Sequence, residues 1–406
     1  MTTEFERIRL HPDDVRYEAN QPSRLRPGQL YEVAYKELIH ELRHNLSRHD
    51  DEPVAVFGFG YDWRQPLDVT QGQLAAFVQE VVERTALTRH YAEDGYTKKN
   101  GRVNLVGHSM GGMLIAGYLA DQGGKAPVHK VATLATPYRG SFEAIVKVLT
   151  GTADLGTSAP SSREREAARV MPALYHLMPT VKHGLAIDPS LPRSIFESDA
   201  WQPSIRQTIE EYVRLYAVDP GSRAQRGQQA DLLFKSLLHG AKKHRSKIES
   251  LDLASIGMST DQWLAVVGVG SKTRVKMEIA TSGGKPCFVL SSSDRMDAYD
   301  KKSPEGPGTA MTGDGTVPYE GAIPGFLKPE NLVCVTPDDY GYWEVQDRLV
   351  SSVAGFHGIL PNMDMLHRLI VRHFTDAKDP HENTWGRRAP GVAANAWAPP
   401  LKLRMK

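Results

Sequence analysis

The chain has 406 residues, longer than a usual single domain, so one large domain with an insertion, or two domains, is expected. Its 49 Lys plus Arg balance 48 Asp plus Glu at a net charge of +1, which argues against a chain-wide electrostatic partner such as nucleic acid. Hydrophobic residues at 40% are enough for a sizeable core, and two cysteines are too few for a disulfide framework or a Cys-based zinc site.

Residues 1–27 are polar and turn-rich and read as a lead-in, with no signal-peptide core. From Leu30 to Leu46 apolar residues recur every three or four positions, which predicts a helix. Pro53–Phe57 reads as a buried strand, Gln73–Leu87 as a helix, Arg102–Val106 as a strand, Met113–Ala120 as a helix of small residues, and Lys130–Leu134 as a strand. Strands and helices alternating at this spacing predict a parallel sheet with crossover helices. From 141 to 260 the rhythm breaks: helical patterns at Phe142–Leu149, Ile205–Val218 and Leu232–Leu238 stand among Pro, Ser and Gly clusters without a strand. Strand character returns at Trp263–Val267, Pro286–Leu290 and Asn331–Val335, followed by a helix at Met363–Phe374. The expected fold is thus α/β, with core residues 28–140 and 261–379, a helical cap at 141–260, and a poorly ordered Pro-rich tail at 380–406. Cys287 and Cys334 both lie in apolar runs and are expected as buried thiols on strands, with a single bridge between them as the alternative. No stretch approaches the roughly 18 apolar residues of a membrane span, so a cytoplasmic location is expected.

Gly107-His-Ser-Met-Gly111 carries the chemistry. It fits the nucleophile elbow, in which a serine sits on a strained turn between strand and helix, and here an apolar strand ends at Val106 and a helical segment follows Gly112. The flanking glycines permit close backbone approach, and the helix N-terminus favours developing negative charge. Ser109 is the candidate nucleophile, and the backbone N–H of Met110 one oxyanion donor. A serine needs a base and an orienting acid, which in this arrangement follow in the order serine, acid, histidine. Gly313-Asp314-Gly315 offers the acid, though an ordinary Asp-Gly turn gives the same string. His357 in Gly355-Phe-His-Gly358 offers the base; His367 also follows Asp314 but falls within the periodic run of the last helix.

Four segments together resemble the lecithin–cholesterol acyltransferase-like lipases: Tyr61-Asp-Trp-Arg64, Gly107–Gly111, Ala135-Thr-Pro-Tyr-Arg-Gly-Ser141, and Gly313-Asp-Gly-Thr-Val-Pro318 followed by His357. The resemblance implies an α/β-hydrolase with flanking helices and a cap. It also implies Ser109 as nucleophile, Asp314 as acid, His357 as base, and a lipid ester substrate that is hydrolysed or passed to an alcohol through an acyl-enzyme. A soluble esterase and a catalytically impaired binding protein are the alternatives. The family's first apolar strand and glycine loop, which supply a second oxyanion donor, have no counterpart in residues 1–27; the loop Phe57–Gly60 is the substitute, and a truncated gene start would explain the gap. Asp62, Trp63 and Arg64 either line the acyl or headgroup pocket or form an Asp–Arg pair under a packed Trp. The Lys242–Lys247 basic cluster is either a solvated face or a transient contact with an anionic membrane surface. The helix Phe142–Leu149 is either a lid or a core helix. No metal-ligand spacing and no phosphate-cradling loop is present, and no cofactor or obligate protein partner is expected.

Overall fold

The computed structural model describes residues 30, 32–49, 51–151, 162–298, 311–344, 347 and 355–406; the expected lead-in at 1–27 lies outside them. The centre is a four-stranded parallel sheet built from β1 (Val103–His108), β2 (Val128–Leu134), β4 (Trp263–Gly268) and β7 (Val333–Val335), in that order. Its strands are apolar on both faces, as a sheet covered by helices requires. Val131, Trp263, Ala265, Val267 and Cys334 point to one face, where α2 (Leu67–Thr85) and α3 (Met110–Gln122) pack through Leu74, Val78, Met113 and Leu119. Ala132, Leu134, Leu264, Val266, Val333 and Val335 point to the other, against α1 (Glu32–Leu46) and α7 (Asp364–Thr375) through Leu38, Leu42, Leu366 and Leu369. This is the expected α/β arrangement, a mainly parallel sheet between helical layers.

A second core lies between β2 and β4 in the chain. The helices α4 (Phe142–Thr150), α5 (Pro203–Tyr216) and α6 (Arg223–Glu249) gather Phe142, Ile145, Ile205, Ile209, Phe234 and Leu238. α6 is 27 residues long and begins at a capping box formed by Ser222 and Gln225. Its N-terminal half packs in this second core, while Ile248 near its end joins the core of the central sheet.

Several expectations are corrected. Pro53–Phe57 is irregular chain, exposed at Pro53 and half-buried beyond it, rather than a buried strand; side chains meet its backbone groups where a ladder would: Ser47 Oγ accepts from Val54 N–H, Tyr91 Oη from Ala55 N–H, and Arg43 donates to the Val56 carbonyl. The stretch 141–260 is not purely helical. Strand β3 (Leu185–Ile187) pairs in parallel with β5 (Met277–Ser282), which pairs antiparallel with β6 (Lys285–Val289). Pro286–Leu290, expected alongside the other strands, therefore belongs to this small sheet, and Met277, Ile279 and Phe288 pack with the second core. Three residues are too few to show a period, and the β5–β6 hairpin turns on Gly283 and Gly284, both at positive φ as a tight two-residue turn requires.

The tail, expected to be poorly ordered, is packed against β7 and the residues that flank it. Arg387 exchanges backbone hydrogen bonds with Cys334 of β7, its guanidinium grips Asp339, and Trp397 Nε1 donates to the Leu332 carbonyl. Cys334 is buried, but Cys287 is exposed because it points away from the second core; both are free thiols. The helix Phe142–Leu149 is buried nearly all round, which fits a core helix and not a hinged lid. The basic run 242–247 forms no contiguous basic face. Lys242 and Lys243 are exposed, His244 and Arg245 are buried, and Lys247 pairs with Asp121. The run lies on a helix, so consecutive residues face different sides. Among the described residues no helix is long and apolar enough to cross a membrane.

Candidate active site

The chain leaves β1 at His108 and enters α3 at Met110, so Ser109 alone makes the turn. Its backbone stands at φ 52° and ψ −127°, a conformation costly for any residue with a side chain. The surroundings hold it there: Ser109 N–H donates to the Leu134 carbonyl at 2.8 Å, and Gly112 N–H to the Ser109 carbonyl at 3.1 Å. Close approach requires glycine at 107 and 112, whereas a Cβ on Gly111 would meet nothing within 4 Å. A Cβ on Gly107 would lie 2.7–2.8 Å from Ile115 Cδ1 and the Gly111–Gly112 backbone, and one on Gly112 would collide with Thr136.

Asp314 sits on the turn that follows Gly313, which bridges to Ser271 just beyond β4. Its carboxylate is buried and its bonds are divided. Oδ1 accepts from the N–H groups of Thr316 (2.9 Å) and Val317 (2.7 Å), and Oδ2 meets His357 Nδ1 at 2.7 Å. Thr273 braces the same turn by accepting from Gly315 N–H at 2.8 Å, and Ser141, which caps α4, donates to the Thr316 carbonyl at 2.5 Å.

His357 lies in the single helical turn Phe356–Ile359 after Gly355. Its N–H donates to the Asp314 carbonyl at 3.0 Å, and its Nε2 reaches Ser109 Oγ at 2.8 Å. A carboxylate only accepts, so Nδ1 carries the proton and Nε2 is free to accept from the serine. Sequence positions 109, 314 and 357 thus join in one hydrogen-bonded chain. His367 is elsewhere, its Nε2 bonded to the Pro361 carbonyl at 2.7 Å.

Met110 is the first residue of α3, so its N–H has no partner within the helix and stands at the positive end of the helix dipole. The substitute loop Phe57–Gly60 packs through Phe59 on Tyr61 and Phe77. Asp62 and Arg64 form a two-pronged ion pair at 2.8 and 2.9 Å on the surface, and the Arg64 hydrogen bonds hold the Asp62 carboxyl at about 2. Trp63 is 50% exposed rather than packed over the pair. Among the described residues no group of three or more His, Cys, Asp or Glu is placed to hold a metal ion.

Sequence reasoning gave no separate role to two residues, one beside the serine and one on α6. His108, the second residue of the elbow, is half-buried and bonds through Nδ1 to Tyr35 Oη and through Nε2 to the His357 carbonyl. Arg245 is buried, its guanidinium donating to the carbonyls of Tyr138, His176 and Met178. A histidine inside an elbow and an arginine on an otherwise apolar helix face were the available signals.

Residues 21–322 match the lecithin:cholesterol acyltransferase family. The chain belongs to that family. The match takes in the elbow and the Asp314 turn and ends before His357. Membership places the protein among lipid-acting hydrolases and acyltransferases. Among solved structures, the chain is similar to one in the crystal structure of a Tle4–Tli4 complex at 14% identity and a TM-score of 0.42, over 77% of this chain and 70% of that one. Comparison with curated proteins gives no match.

Proposed function

We propose that the protein is a serine-dependent lipid ester hydrolase or O-acyltransferase working through an acyl-enzyme. The observation that carries this reading is the continuous hydrogen-bonded chain from Ser109 Oγ through His357 to Asp314, set on a strained elbow. His357 Nε2 takes the proton of Ser109 as Oγ attacks the ester carbonyl. Asp314 keeps the proton on Nδ1 and stabilises the imidazolium that forms. The Met110 N–H holds the oxyanion, with a second donor from the Phe57–Gly60 loop. His357 then protonates the leaving alcohol, and water or a second alcohol takes the acyl group from Ser109. Trp63, with the Asp62–Arg64 pair beside it, meets the lipid headgroup.

A fluorophosphonate probe tests the nucleophile: it is expected to label the wild type and not Ser109→Ala, and equal labelling of both removes the assignment. A series of p-nitrophenyl esters tests the substrate class. Each buried methylene contributes about 0.8 kcal/mol, so kcat/KM is expected to rise from acetate to octanoate, with cleavage of phospholipid or diacylglycerol vesicles alongside. An optimum at acetate with inert vesicles would leave a soluble esterase.

A further inference from the structure

His108 takes no part in the proton path from Ser109 to Asp314, yet it is bonded to the main chain of its central member, His357. Its Nε2 lies 2.9 Å from the main-chain carbonyl of His357, and its Nδ1 lies 2.8 Å from Tyr35 Oη. A carbonyl only accepts, so Nε2 carries the proton and Nδ1 accepts from the phenol. Tyr35 stands on α1, whose Leu38 and Leu42 share a core with Phe356, Ile359 and Leu360. On the other side, the His357 N–H donates to the Asp314 carbonyl. Both main-chain groups of His357 are therefore fixed, one by the acid and one by the neighbour of the nucleophile. The segment carrying it needs such ties, because Phe356–Ile359 is one turn with no side-chain cap and little helical cooperativity of its own.

We propose that Tyr35 and His108 are positioning residues for the base: the relay from phenol to imidazole to carbonyl sets where His357 stands over Ser109. The proposal rests on the reading of Ser109 as nucleophile. The groups facing the His108 ring are His357, with ring centroids 5.0 Å apart, and Tyr35, which has Tyr61 beside it. Burial, and next the nearby His357, hold the His108 imidazole at about 3, so it is neutral in ordinary buffers. A neutral donor holds the carbonyl without opposing the charge that His357 gains on taking the serine proton.

Three full-length variants test this against wild type: His108→Leu, which deletes the donor; His108→Gln, whose amide N–H can extend to the same carbonyl; and Tyr35→Phe, which keeps the ring and deletes only the hydroxyl. The readouts are kcat and KM on p-nitrophenyl octanoate and the rate constant of fluorophosphonate labelling. A misplaced base is expected to lower kcat and labelling by about ten- to hundredfold in His108→Leu at unchanged KM, with Tyr35→Phe in between and His108→Gln recovering most of the loss. Full activity in His108→Leu overturns the proposal, as does an equal loss in the Gln and Leu variants. If His108→Leu does not fold, Tyr35→Phe decides: a lower kcat at constant KM supports the relay, and an unchanged kcat overturns it. Labelling that survives in Ser109→Ala removes the nucleophile reading itself. Labelling lost there but unaffected by the relay variants removes only the positioning role.

Discussion

Asp314→Asn separates the acid's two duties, because the structure fixes how the new amide must lie. Oδ1 of Asp314 accepts from two backbone N–H groups, while Oδ2 faces His357 Nδ1. An asparagine that keeps its oxygen on the backbone donors aims its NH2 at Nδ1, which drives the imidazole proton to Nε2, where it blocks acceptance from Ser109. The reverse orientation restores the tautomer but leaves the buried Val317 N–H and the half-buried Thr316 N–H without an acceptor, at about 1–3 kcal/mol each. Returning to the productive form thus costs about 2–6 kcal/mol, or about 30- to 20,000-fold in rate, and the lost negative charge adds to this. We expect kcat on p-nitrophenyl octanoate to fall towards the upper end, about 10⁴-fold, with KM and thermal midpoint close to wild type. Fluorophosphonate labelling should slow in parallel, since it needs the same activated serine. A folded variant with kcat within tenfold of wild type would refute the reasoning and reduce Gly313–Pro318 to an ordinary turn.

Two further outcomes follow from buried groups outside the triad. Arg245→Met strips the donors from the carbonyls of Tyr138, His176 and Met178. At about 1–3 kcal/mol per unmet group the thermal midpoint should drop by several degrees or more, and Arg245→Lys, a point charge in place of a fork, should rescue only part; unchanged melting of Arg245→Met would contradict this. Burial also holds four imidazoles low, His108 at about 3, His176 and His373 at about 4, and His244 at about 2. They stay neutral in the native state but take up protons in the unfolded chain below about pH 6.5, so the stability present above that pH is lost as pH falls towards their native values. Each contributes a slope of at most about 1.4 kcal/mol per pH unit. Melting followed from pH 7 to pH 5 should show the midpoint falling with net proton uptake on unfolding, and a flat profile would count against their burial.

The sheet was legible because its strands are short, apolar on both faces and separated by helices with a clear period; Lys130–Leu134 and Trp263–Val267 fall within observed strands. The serine announced itself through the Gly107–Gly111 string between an apolar strand and a helix, of which Gly107 is the glycine that close backbone approach requires. Asp314 and His357 were legible by order along the chain, but their pairing depends on contacts across 43 residues that no local pattern carries. Pro53–Phe57 misled because an apolar run states only that side chains avoid water, not what satisfies the backbone. The packed tail misled for the opposite reason: prolines and alanines suggest slack chain, while Arg387, Trp397 and Cys334 fix it through bonds that composition does not register.

At 1.5 Å per residue, α6 is a beam about 40 Å long that rests on two separate supports. One end is embedded with Phe234 and Leu238 in the second core, and the other is pinned by Ile248 and Arg245 to the central sheet and the loop after β2. A beam loaded in this way does not let one body swing freely over the other. Displacing the second core tilts α6 about Arg245 and so presses on the Tyr138 carbonyl, three residues from Ala135, whose N–H is held by the Val266 carbonyl of β4. The second core is therefore tied to the central sheet through one rigid member, and a load on either body is carried to the other.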